Sequence, residues 1–165
     1  MTSRVAIRRV APRASGRVVR LLRCLADGEL QWRPHPEANN VAWVIGHLTW
    51  FEEWVADAIE ETGLYLEEKG GPTSFQEPTI EAQRARHLAA RERLVGLMEG
   101  LTPAELRREI LYVYNEENDG RSTTTIHDLL RTHVRHQSGH RYQIRLLRGT
   151  YSRAHDTDKA CYDPW

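Results

Sequence analysis

The sequence predicts an all-α fold, on three observations. Four long segments carry apolar residues at spacings of three and four; each opens on a residue suited to a helix start; and each closes at a glycine, at Gly28, Gly63, Gly100 and Gly149. A glycine there fits the left-handed position that ends a helix without a Cβ clash. The chain has 165 residues, the usual size of one domain, and a unit this long buries roughly two thirds of the surface its unfolded chain exposes. A single domain over residues 1–165 is expected, with 153–165 as a C-terminal extension.

The first helix runs from about Pro12, a favoured first helical residue, through Val18, Leu21, Leu22 and Leu25. The second follows Asn39-Asn40, which offer an N-cap. The third opens near Thr79 and shows Leu88, Leu94, Val95, Leu97 and Met98 as its apolar side. Thr125 caps the fourth, with Asp128 three residues on as a shortened capping box. Between the third and fourth, Thr102-Pro103-Ala104-Glu105 supplies an N-cap, a proline and an acid at helix-start spacing, and predicts a short helix. Ile110 to Tyr114 has strand-like composition but no evident partner run, and is expected to be an extended connection. The turn residues around Pro34-His35-Pro36 and from Leu64 to Pro78 mark loops. The second loop is longer than neighbouring antiparallel helices need, so a crossover between helices two and three is expected.

Charge narrows the partners. Lys plus Arg and Asp plus Glu both total 23, so no excess positive charge exists to displace counterions from a phosphate backbone or to hold an acidic membrane. Nucleic acid and membranes are not expected partners. The arginines crowded between Arg4 and Arg23 fit a solvated helix face. Cys24 and Cys161 are too few for a disulfide framework, and Cys24, among Leu21, Leu22 and Leu25, fits a small core residue. A reducing compartment suits them. The N-terminus lacks the apolar region of a signal peptide, and the longest apolar stretch, Val41 to Ile45, is too short to span a bilayer, so a cytoplasmic location is expected.

The chemistry concentrates in histidines. His136 and His140 are four residues apart on the fourth helix, so both imidazoles project from one face about one turn apart. Leu129, His133, Gln143, Ile144 and Leu147 share that face, which makes it the inward side. On the second helix, Trp43, His47, Trp50 and Trp54 form one stripe, beside a second of Val44, Leu48, Phe51, Val55 and Ile59. A histidine inside an indole stripe is poorly hydrated, which favours the neutral ring that can ligate a metal. The pair on the fourth helix, taken alone, is a weak signal and more often means two satisfied core histidines. A third inward histidine on another helix makes three neutral nitrogens with an open position, a recurrent catalytic metal arrangement.

Asn40-Val41-Ala42-Trp43-Val44-Ile45-Gly46-His47-Leu48 resembles the second-helix motif of the DinB/YfiT-like superfamily, and His133 to Ile144 resembles its HxxxHRxQ signature. The resemblance spans nearly the whole chain in helix order and motif spacing. It implies a four-helix bundle with up-down-down-up connectivity, with nickel, zinc or a similar divalent ion on His47, His136 and His140. It also implies homodimerisation and a thiol-dependent S-transferase activity, with a low-molecular-weight thiol as cosubstrate and a small-molecule electrophile. Tyr142 departs from the family pattern, which usually has glycine there.

Around the three histidines, His133 and Gln143 are expected to support ligands or line the pocket, and Trp43 and Trp50 to pack the core while forming an apolar wall. His127 and His35 receive no role. His87, among Arg84, Arg86 and Arg91, is expected on a solvated face, and the tail with His155, Asp156, Asp158, Cys161 and Asp163 is expected to be an ordered or frayed extension. Two functions compete: a metal-dependent enzyme acting through a thiol, or through water as a hydrolase, and a stress-response protein whose ion only secures the bundle.

Overall fold

The computed structural model describes residues 17–22, 25–60, 77–115 and 120–156. It is mostly helical. A helical segment, α1, covers residues 17–21; then come α2 (Asp27–Gln31), α3 (Val41–Glu60) and α4 (Ile80–Gly100). A 3-10 turn (Glu105–Arg107), the strands β1 (Glu109–Asn115) and β2 (Gly120–Thr125), and α5 (Ile126–His155) complete the order. The expected start at Pro12, the glycine at Gly63, most of the long loop, Cys24, Cys161, Asp158 and Asp163 lie outside the described residues. No helix among the described residues is long and apolar enough to cross a membrane.

The caps form where the sequence places them. Asn40 Oδ1 accepts from Trp43 N at 2.8 Å, Thr79 Oγ1 from Ala82 N at 3.1 Å and Thr125 Oγ1 from Asp128 N at 3.1 Å. Each satisfies a backbone donor that the first helical turn leaves without an internal partner. Thr102 and Glu105 close a reciprocal pair, Glu105 N donating to Thr102 Oγ1 at 3.2 Å and Thr102 N to Glu105 Oε2 at 2.6 Å, which supports the expected short helix as one 3-10 turn.

The helix ends differ from expectation. Gly28, Gly100 and Gly149 do not adopt the left-handed conformation. Gly149 lies inside α5, which continues to His155 and is closed by Asp156 at φ 50°. Ser152, buried beyond the glycine, helps carry α5 past it. Gly28 sits in α2 and not after α1; a Cβ there would meet the Tyr151 hydroxyl at 2.9 Å, so close approach of α5 is what favours glycine.

The extended connection is also corrected. Ile110 to Tyr114 has a partner: β1 pairs antiparallel with β2, Ile110 opposite Thr124 and Leu111 opposite Thr123, with an irregularity between Val113 and Asn115. The partner run, Arg121-Ser122-Thr123-Thr124-Thr125, is polar and lacks apolar alternation, but its β-branched threonines suit a strand and Asp119-Gly120 is a hairpin signal.

Contacts fix the direction of three helices. Glu53 meets Arg86 at 2.9 Å and Asp57 meets Arg93 at 2.7 Å, so partners advance together and α3 runs parallel to α4. His47 meets His140, whereas Glu52, further along α3, meets His133, earlier on α5; those two helices are antiparallel.

Two apolar clusters hold this frame. One joins Val55, Ala56 and Ile59 of α3 to Leu94 and Met98 of α4 and to Ile126, Leu129 and Leu130 of α5. The other joins Val41, Val44, Ile45 and Leu48 to Val18, Leu21, Leu22, Ile80, Ile144 and Leu147. Between them in sequence, on all three long helices, lie the buried polar side chains Thr49, Glu52, Gln83, His87, His133 and Gln137. His87 is fully buried, not solvated as expected. The buried row of α4 is Ile80, Gln83, His87, Ala90, Leu94 and Met98, whereas Leu88, Val95 and Leu97 are only half-buried.

A buried ion pair ties α5 to the start of the chain. Arg148 donates from Nε to Glu29 Oε1 at 2.6 Å and from its amino groups to Glu29 Oε2 at 3.3 Å and Leu21 O at 2.8 Å. Removing one partner strands the other charge away from water. Glu29→Ala is therefore expected to lower unfolding free energy by about 3–5 kcal/mol in a urea titration, and a loss below about 1 kcal/mol, the value of a surface pair, would show the pair to be dispensable.

Candidate metal centre

α3 and α5 bring together three of the sequence-selected residues. One ring nitrogen each from His47, His136 and His140 lies within 4.8 Å of the other two, the geometry of side chains positioned to bind a metal ion. His47 Nε2 and His136 Nε2 are 2.9 Å apart, and neighbouring nitrogens on one ion at bonds of about 2.0–2.1 Å lie about 3–3.5 Å from each other. The fit is close enough that a small rotation of the rings would seat an ion. The donor set also fits: imidazole suits zinc, nickel, copper and iron.

Each ring is held differently. His140 Nδ1 lies 2.8 Å from Gln143 Oε1, an acceptor, so the ring carries its proton on Nδ1 and leaves the Nε2 lone pair for an ion. Gln143 thus touches the His140 ring on the side away from Nε2. His47 is sandwiched along its own helix, stacked on Trp43 at 5.0 Å and on Trp50 at 5.8 Å between ring centroids. His136 packs against Phe51 at 4.2 Å, and its buried Nδ1 has no hydrogen-bond partner among the described residues. Phe51, assigned by spacing to the apolar stripe beside His47, is therefore a wall of the site.

Burial sets the charge state. It pushes the His47 imidazole down to about 4 and the His136 imidazole down to about 3, with the neighbouring His140 adding to both shifts. Both rings are neutral at pH 7, the form in which imidazole binds a metal. All three side chains remain half-buried, not sealed, so the site lies at an edge of the α3–α5 contact.

His133 faces Glu52, with Nε2 3.3 Å from Oε1, is 1 % exposed, and stacks on Phe51 at 6.2 Å between ring centroids. Glu52, His87 and Gln137 were not selected from sequence, although spacing carried the signal: Glu52 falls in the row Leu48, Glu52, Val55, Ile59, and His87 in the row Gln83, His87, Ala90, Leu94. A polar residue on an apolar row at helical period is a buried polar residue.

A family model described as the DinB superfamily matches residues 13–144, a span that contains all three histidines and Gln143. The chain belongs to the DinB superfamily. No curated protein matches it. The three histidines that converge in this DinB chain all fall inside the matched span.

Two outcomes follow from the site. Gln143→Leu, which removes the acceptor from His140 Nδ1, is expected to weaken metal affinity about 10- to 100-fold in a calorimetric titration while leaving the helical spectrum unchanged. Unchanged affinity would mean that packing alone orients His140. In metal-free protein, the unfolded chain protonates its histidines near 6.5 whereas folded His47 and His136 resist protonation to about 4 and about 3. The unfolded state thus binds more protons in that window, and stability falls as pH drops from about 6.5 towards 4. Thermal melts in chelator should show the midpoint declining over that range, and one that rises would contradict the burial of these rings.

Proposed function

We propose that this chain is a metal-dependent thiol S-transferase: His47, His136 and His140 hold one divalent ion, nickel or zinc, and a low-molecular-weight thiol is activated there for attack on a small electrophile. The observation that carries this reading is the convergence of three imidazoles at a half-buried edge, two of them held neutral by burial, with no carboxylate in the group among the described residues. A divalent ion on three neutral ligands keeps its full charge and lowers the pKa of a thiol or water at its open position.

The chain's own residues supply the rest. Gln143 orients His140, and Trp43, Trp50 and Phe51 pack around the other rings as apolar surface against which a substrate can lie. Partial exposure of the three ligands leaves an approach for a small molecule. A cytoplasmic location, where thiols stay reduced, suits the cosubstrate. The parallel pair α3 and α4 with antiparallel α5 supports the up-down-down-up four-helix bundle, in which the first helix runs with α5. One feature favours the alternative of a metal protein without turnover: the ligands come from two helices, so an ion would also clasp α3 to α5.

The test combines binding and turnover. Elemental analysis of purified protein is expected to find about one ion per chain in wild type and little in His140→Ala, because two ligands hold such ions far less firmly than three. Loaded wild type is expected to accelerate conjugation of a thiol to a chromogenic aryl halide, and His140→Ala not to. Equal metal content in both proteins would sink the site; metal without conjugation across a panel of thiols would favour the clasp.

A further inference from the structure

The polar layer between the two apolar clusters has a consequence for the metal centre. Glu52 is fully buried, and its Oε1 accepts from Gln137 Nε2 at 3.0 Å and from His133 Nε2 at 3.3 Å. Those two donors are four residues apart on α5, in the row beside His136 and His140. On α3, Glu52 follows His47 by five residues, about 140° around the helix at about 100° per residue. One pair of facing rows is therefore gripped by a carboxylate, and the neighbouring pair carries the three histidines.

α4 backs the same carboxylate. Thr49 donates to Ile45 O at 2.8 Å, so its oxygen accepts from His87 Nδ1 at 3.1 Å, and that nitrogen lies 3.8 Å from Glu52 Oε2. The layer thus holds Glu52 by two hydrogen bonds from α5, with His87 of α4 packed beside its other oxygen.

We infer that Glu52 is a positioning residue for the metal centre: by accepting from His133 and Gln137 it sets the rotation and register of α5 against α3, and so where the His136 and His140 nitrogens meet His47. The magnitudes favour such a device. A side-chain tip about 6 Å from the helix axis moves about 2 Å when the helix turns by about 20°, and that is a whole metal–nitrogen bond of about 2.0–2.1 Å. A functional site needs its groups held to about 0.5 Å. Apolar packing is non-directional, whereas two hydrogen bonds to one oxygen are not.

This inference rests on the metal reading above, and the experiment separates the two. Zinc affinity by calorimetry and the absorption spectrum of the cobalt-loaded protein, which reports ligand geometry, are compared in wild type, Glu52→Met and Met98→Ala. Glu52→Met keeps the side-chain length and removes the oxygen that accepts both bonds. Met98 is buried in the cluster of Val55, Leu94 and Ile126, away from the layer, and its truncation measures the effect of lost stability alone. Glu52→Met is expected to keep its helical spectrum, to bind zinc about 10- to 100-fold more weakly and to change the cobalt spectrum; Met98→Ala is expected to melt earlier yet bind like wild type. If Glu52→Met does not fold, Gln137→Met removes one of the two bonds and is expected to shift affinity and spectrum in the same direction. A folded Glu52→Met or Gln137→Met with wild-type affinity and spectrum would overturn the positioning role, as would equal weakening in Met98→Ala. Wild type that takes up no metal would overturn the metal reading itself.

Discussion

The contact between α3 and α5 is the constraint on which the site depends. His47 stands on one helix, His136 and His140 on the other, and no short loop joins them; 89 residues separate His47 from His136. Their convergence is therefore a property of tertiary packing and not of any local motif. Three structures in the chain keep that packing in place. The apolar cluster of Ile126, Leu129 and Leu130 anchors the start of α5, the cluster with Ile144 and Leu147 anchors its middle, and the Arg148–Glu29 pair holds it beyond. The histidines lie in the stretch between the first two anchors, where both ends are restrained and small displacements are resisted.

The same packing prepares the histidines chemically. Removing water from His47 and His136 penalises the protonated rings, and mutual proximity penalises them further, because up to three positive charges would share one small volume. The folded chain therefore holds these two rings neutral, the form whose lone pair can bind a metal. Trp43 and Trp50 contribute to this through position rather than polarity: stacked on His47 from both sides along α3, they exclude water while leaving Nε2 exposed towards α5. One helix thus supplies a histidine of the candidate site, its desolvation and the apolar surface beside it.

How much of this the sequence displays depends on whether the signal is local. Caps are local, and Asn40, Thr79 and Thr125 act where spacing places them. The HxxxH pair and the indole stripe are periodic, so the faces they occupy are legible, and so is the gathering of His47, His136 and His140. Glycine misleads because its backbone freedom is permissive and not directive: Gly149 is accepted inside α5, and Gly28 answers to the nearby Tyr151. The β-hairpin was hidden because β2 has no apolar alternation, its threonines facing a partner that only pairing reveals. His87 and Glu52 were hidden by composition, since neighbouring arginines and a second glutamate make each look solvated, while the row each belongs to is buried.

That polar layer is costly by the standards of core packing. Replacing buried ionisable groups by well-packed apolar residues of similar volume is often neutral or stabilising by about 1–4 kcal/mol. An apolar layer at Glu52, His87, His133 and Gln137 would moreover join the two clusters into one continuous core along α3. Such a core would be greasier and less directional, and α5 would find several rotations of similar energy against α3. The layer removes that degeneracy, because each alternative rotation leaves the Glu52 carboxylate and two donors without partners in a dry interior. The stability it forgoes is supplied by the clusters on either side of it, which leaves the middle of the helical packing free to specify geometry near where the three histidines meet.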